Sequence, residues 1–194
     1  MLKSIILIFS VFTMLSCQST DTDSNESKAP TPIKSELLEK KSQLTPKVKK
    51  YFDYDEIEYY WTDYKGSRLN LKESKSKTDS LKYGIIFGKI PHDILDVSFV
   101  RKLQDIGYKK RLINNSIFYE IDNIFTEKTA NAPAEEACIY VYRDVLIFKK
   151  NSKVVGVAKI CFQCMAHQIK GSEANTENFG QDGDYEKLKK ILRP

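Results

Sequence analysis

Three cysteines and a histidine in the last third of the chain carry the types and spacing that could do chemistry: Cys138, Cys161, Cys164 and His167. Three thiols and an imidazole are soft ligands, enough for a closed tetrahedral zinc site or a copper site. The run C-x-x-C-x-x-H that ends at His167 allows one close chelate, with Cys138 arriving from another part of the fold. In an oxidising compartment the same sulfurs form a structural disulfide, and their odd number leaves one thiol over. A thioredoxin-like pair needs its C-x-x-C at a helix N-terminus, and residues 165–170 are too short a run before Gly171. Haem attachment is excluded, because Met165 and Ala166 separate Cys164 from His167. Disulfide, zinc or copper centre, and thiol-redox pair all stay open at this point.

The elements that must position these residues read as a β-hairpin, 139–149 and 153–161, rich in Val, Ile, Tyr and Phe. Asn151 and Ser152 make a two-residue turn between them. That turn sets a register in which Asp144 faces Lys159, Leu146 faces Val157 and Phe148 faces Val155. Val141, Val145, Ile147, Val154, Ala158 and Ile160 fall on the other side, so the strands should be central and covered on both faces. Cys138 then lies diagonal to Cys164, near Cys161, provided the strand breaks at Phe162 and Gln163. A disulfide requires Cα atoms within about 7 Å, so Cys138 must approach at least one of the C-x-x-C pair. His167 aimed at the sulfurs would mark a metal centre; turned to solvent, it would mark a disulfide with a spare thiol. Arg143, among apolar strand residues and opposite Ile160 in this register, is a further candidate; its stem should lie on the sheet while its head reaches water. His92 sits in a turn after a proline.

Before the hairpin, Tyr51, Phe52, Tyr54, Tyr59, Tyr60, Trp61 and Tyr64 crowd a short stretch in which Ile57, Tyr59 and Trp61 alternate as in a strand. Such rings make either a sugar-binding platform or a core strand with tyrosines at its rim. The second is expected, since no Asn/Asp/Gln cluster accompanies them. Residues 67–80 read as a surface connection or ragged edge strand, and 82–88 as a short buried strand. Ser98 should cap a helix through Phe99, Leu103 and Ile106 that stops at Gly107. Asn115 or Ser116 opens another with Ile117, Ile121, Ile124 and Phe125 on one face, and a loop follows over 126–137. Asp184 caps a last helix carrying Tyr185, Leu188, Ile191 and Leu192. The expected fold is α+β: a small antiparallel sheet with the hairpin at its centre, and three or four short helices segregated to one side.

The first residues speak of compartment. Residues 1–16 have a charged head at Lys3 and an apolar body over 5–15, shorter than the about 20 residues that span a bilayer. Ser16 followed by Cys17 resembles the lipobox of bacterial lipoproteins, with Met14 where that pattern usually has Leu. The resemblance implies a cleaved leader, and Cys17 acylated by palmitate-type lipid as the new N-terminus. Residues 17–34 are polar and should be a disordered tether, leaving 35–194 as one globular domain that opens with a short helix from Ser35. The acidic start of the tether (Asp21, Asp23, Glu26) resembles outer-surface export signals.

Near the other end, Y-R-D-x-L-I-F-x-K from Tyr142, K-I-C-F-x-C at Lys159 to Cys164, and F-G-x-x-G-D-Y-x-K-L from Phe179 resemble small lipoproteins of Bacteroidetes-type bacteria. That likeness implies the bacterial outer membrane, facing periplasm or cell surface, and carries no catalytic residue or cofactor. A net charge of +5, evenly scattered, argues against nucleic acid as a partner. No nucleophile elbow, zincin helix or histidine beside a plausible serine points to a hydrolase. The expectation is a membrane-anchored binding or structural module of the envelope, partnered by lipid through Cys17 and by an envelope ligand. The alternative is a metal-binding or thiol-redox protein built on the cysteine cluster.

Overall fold

The computed structural model describes residues 48–73, 76–96, 98–129 and 138–193, which all fall within one compact unit, Pro46–Pro194. The residues expected to form the leader, the acylated Cys17, the tether and the helix at Ser35, with most of the loop expected before Cys138, lie outside the described residues. Five strands form one antiparallel sheet: β1 (Glu56–Trp61), β2 (Lys109–Leu112), β3 (Asp144–Lys150), β4 (Lys153–Cys161) and β5 (Ala166–Lys170), in the order β2-β1-β3-β4-β5. Among the described residues four α-helices accompany it: α1 (Arg68–Glu73), α2 (Lys77–Ile86), α3 (Phe118–Ile124) and α4 (Asp184–Leu192). The fold is α+β, and the hairpin β3–β4 occupies its centre.

The helices cover both faces, not one. On one side Tyr59, Leu146, Phe148 and Ile160 pack with α3 and α4. On the other, Tyr60, Val145, Ile147 and Val157 meet Ile85 and Ile86 of α2, Phe99 and Leu103; the helix expected from Ser98 is a short 3-10 helix, Ser98–Lys102, followed by a turn. A sheet apolar on both sides has to be covered twice, since either face left open would expose several large side chains.

Asn151 and Ser152, with φ of 48° and 64°, make the expected two-residue turn, and Lys149 pairs with Val154 as its geometry dictates. Past Lys149 the register shifts: Val155 is extruded as a bulge, and Phe148 pairs with Gly156. A Cβ on Gly156 would collide with the Phe52 ring, which packs 4.4 Å from Phe148; glycine leaves room for that ring. Every pair beyond the bulge is displaced by one residue, so Asp144 faces Ile160 and Lys159 faces Val145. Asp144 and Lys159 therefore stand on opposite sides of the sheet, and the expected ion pair between them does not form. Strand β3 also begins later than expected. Residues 139–143 make no ladder; the chain there is held by Tyr142 N–H to Ile86 O (2.8 Å) and by Tyr108 O–H to Tyr142 O (2.8 Å).

The expected strand over 82–88 is the end of α2, whose start is capped by Ser76 accepting from Asp79 N–H. Much of 67–80 is helical as well. Strands β2 and β5, unforeseen in the sequence, form the two edges.

Candidate functional site

At the end of the hairpin remote from its turn, β4 stops at Cys161, and a four-residue turn leads to Ala166, its partner in β5. Cys164 lies in that turn, which supplies the break expected at Phe162 and Gln163. Cys138 and Cys164 are joined in a disulfide with Cα atoms 5.9 Å apart, closing a separation of 26 residues. Cys161 is the spare thiol, 1% exposed. Its Sγ accepts from Val141 N–H at 3.4 Å, and it packs with Tyr142, Cys164 and Cys138. Ile139, Tyr140 and Met165 stand exposed around this cluster.

His167 is not turned to solvent, and its ring nitrogens are engaged by groups other than the sulfurs. In β5, two positions after the turn, it lies opposite Ile160 and enters the core cluster of α4. Its Nε2 is 3.1 Å from Thr176 O and its Nδ1 2.9 Å from the Tyr185 hydroxyl, with the Phe179 ring 4.9 Å away. A carbonyl only accepts, so Nε2 carries the proton and Tyr185 donates to Nδ1. Burial lowers the histidine's pKa, which keeps that ring neutral near pH 7. Both ring nitrogens are thus committed, and two of the three sulfurs are bonded to each other. The zinc or copper site considered for Cys138, Cys161, Cys164 and His167 does not assemble. No cluster of three or more His, Cys, Asp or Glu suited to a metal ion occurs among the described residues.

Arg143 is half-buried and donates from Nε to Tyr64 O at 2.8 Å, tying the entry of β3 to the chain after β1; with the shifted register it no longer faces Ile160. His92 is exposed.

Among the buried polar groups that went unforeseen, Asp144 and Lys159 belong to the hairpin itself. Asp144, 2% exposed, accepts from the Tyr59 hydroxyl at 2.5 Å and receives Arg193 Nη2 at 2.8 Å on each oxygen. Burial raises its pKa, while the bonds from Tyr59 and Arg193 pull it down. Lys159, fully buried on the opposite face, donates to Gly88 O at 2.9 Å and Ile90 O at 2.8 Å, and its Nζ lies 4.6 Å from the Tyr142 ring centre. Burial, with nearby Lys170, lowers its pKa to about 7. The sequence signal was present: a charged residue within each apolar strand. The bulge hid which way each pointed.

Among the surface recesses of the described residues, three stand out. One of about 360 Å³ has Lys50, Tyr54 and Asp122 at its wall, with Asp122 accepting from both. A wider one of about 600 Å³ lies between α3 and α4, with Ile117, Ile124 and Ile191 as its apolar part and Lys187 and Lys190 among its polar lining. The third, about 260 Å³, is lined by Tyr59, Trp61, Asp63, Arg111, Leu192 and Arg193. No protein-family model, curated protein or solved structure matches the chain.

Proposed function

We propose that the protein is a lipoprotein held to the bacterial outer membrane by acylated Cys17, whose folded domain serves as a binding or structural module facing the periplasm or cell surface. The observation that carries this is the Cys138–Cys164 disulfide. Such bonds persist in oxidising compartments and are rare where glutathione and thioredoxin keep thiols reduced. It agrees with a leader ending at a lipobox-like cysteine and a polar stretch long enough to hold a domain away from the bilayer. Among the described residues no helix is long and apolar enough to cross a membrane, and the anchorage proposed is the lipid on Cys17. Fractionation of cells making the wild type and Cys17→Ala tests the proposal. The wild type is expected with outer membranes and the variant in the soluble fraction; an unchanged membrane fraction for Cys17→Ala would overturn it.

A second reading, thiol exchange, is favoured by one observation: reduced Cys161 packs in the same cluster as the disulfide. Attack of the Cys161 thiolate on Cys164 Sγ would form a Cys161–Cys164 bond and release Cys138 as thiolate, with no net oxidation. Peptide mapping after alkylation at low pH tests it; a single Cys138–Cys164 linkage under all redox conditions would exclude it.

A further inference from the structure

The recess lined by Tyr59, Trp61, Arg111 and the end of α4 has a charge balance that its own side chains do not complete. Arg193 is neutralised by Asp144 through paired bonds. Asp63, the recess carboxylate, is held by Lys109 at 2.9 Å. Arg111 has no carboxylate among the described residues. Its Nη2 donates to Ile191 O at 3.2 Å and Leu192 O at 2.7 Å, the last carbonyls of α4. Its guanidinium carbon lies 5.4 Å from the Tyr59 ring centre. Two carbonyls and an aromatic face fix the plane of the guanidinium before any ligand arrives, which lowers the ordering cost of binding. Nε–H is buried without an acceptor, and Nη1 has no protein acceptor among the described residues. The donors left for a ligand are those of Nη1.

Beside this cation lies a flat apolar wall. Trp61 is half-buried and stacks on Tyr59 with ring centres 5.2 Å apart and planes 17° from parallel. The residues pair across the sheet as Tyr59 with Arg111 and Trp61 with Lys109, so rings and cations share one face of β1 and β2. The recess holds about 260 Å³, below the range of about 300–1,000 Å³ for drug-sized ligands.

We propose that this recess binds one small ring-bearing carboxylate of the sugar-acid type, its carboxylate on Arg111 and its less polar ring face against Trp61. One unbalanced guanidinium matches a single negative charge. A phosphate near pH 7 carries more, and Asp63 at the rim opposes the excess. This deepens the binding-module reading and rests on it. It does not depend on the anchor, so its test can fail while membrane attachment stands.

Trp61 is the only tryptophan in the chain, so tryptophan emission reports from the recess itself. The full chain, purified in detergent, is titrated with glucuronate, glucose and inorganic phosphate. Glucuronate is expected to change the emission saturably, with glucose and phosphate at least tenfold weaker. Arg111→Gln should weaken glucuronate at least tenfold. Because Arg111 also ties down α4, a second variant guards against misfolding: Asp63→Asn, at an exposed carboxylate, should bind glucuronate severalfold tighter. No saturable response to glucuronate would overturn the proposal, as would equal binding of glucose or phosphate. So would an Asp63→Asn variant that binds no more tightly than the wild type.

Discussion

Asp144 and Lys159 stand one pair apart in a two-stranded hairpin and have nothing to do with each other, because the bulge at Val155 sends them to opposite faces. Asp144→Ala would leave the Tyr59 hydroxyl and the Arg193 guanidinium without their acceptor, and a loss of about 3 kcal/mol is expected. Double-mutant cycles in denaturant should show coupling between Asp144 and Arg193 and near-additivity between Asp144 and Lys159. Lys159 predicts a pH dependence. Its pKa is about 7 in the fold and 10.5 for the free side chain, so the unfolded chain binds the extra proton between those values. Stability should therefore rise as pH increases from about 7 toward 10, by an amount on the order of 3–5 kcal/mol, and be lowest below 7 where the buried ammonium is charged. Lys159→Met should flatten that rise, which urea titrations at pH 6, 7.5 and 9 would read. His167, whose pKa is lowered by burial, adds a further loss as pH falls below its ordinary value of 6.5.

At the scale of elements, the disulfide joins the segment before β3 to the turn between β4 and β5. Closing that loop is worth about 3 kcal/mol on the chain-entropy account. Cys138→Ala and Cys164→Ala should each cost roughly that much in oxidising buffer, and the double variant no more than either alone. Adding reductant should bring the wild type to the same midpoint. Gly156→Val should cost at least about 2 kcal/mol, because the new side chain meets the Phe52 ring. Strand β1, the hairpin turn, α3 and α4 could be read from alternation, turn residues and helical spacing. The bulge could not: β4 is apolar on both faces, so a one-residue slip changes no hydrophobic count. Residues 82–88 failed for a related reason, since a short apolar run fits a strand or a buried helix end equally. The capping pair Ser76 and Asp79, six residues upstream of that run, was the better signal. Strands β2 (K-K-R-L) and β5 (A-H-Q-I-K) carry the polar residues that protect sheet edges, so periodicity passes over them. Of the four residues gathered by spacing at the candidate site, the sulfurs do meet. His167 departs because β5, not a loop, follows the turn and directs its ring into the core beside α4.

For the whole molecule, the proposed lipid anchor and tether precede in sequence a domain closed by the Cys138–Cys164 disulfide. The proposed acylation of Cys17 fixes the compartment, and the Cys138–Cys164 disulfide is the feature that calls for an oxidising one. The most direct measurement is the mass of the N-terminal peptide from protein taken out of its own membranes. If Cys17 is the lipid anchor, the peptide begins at Cys17 and is heavier than its sequence by a diacylglyceryl group, with or without a third acyl chain. A peptide that begins at Met1, or a Cys17 without lipid, would contradict it.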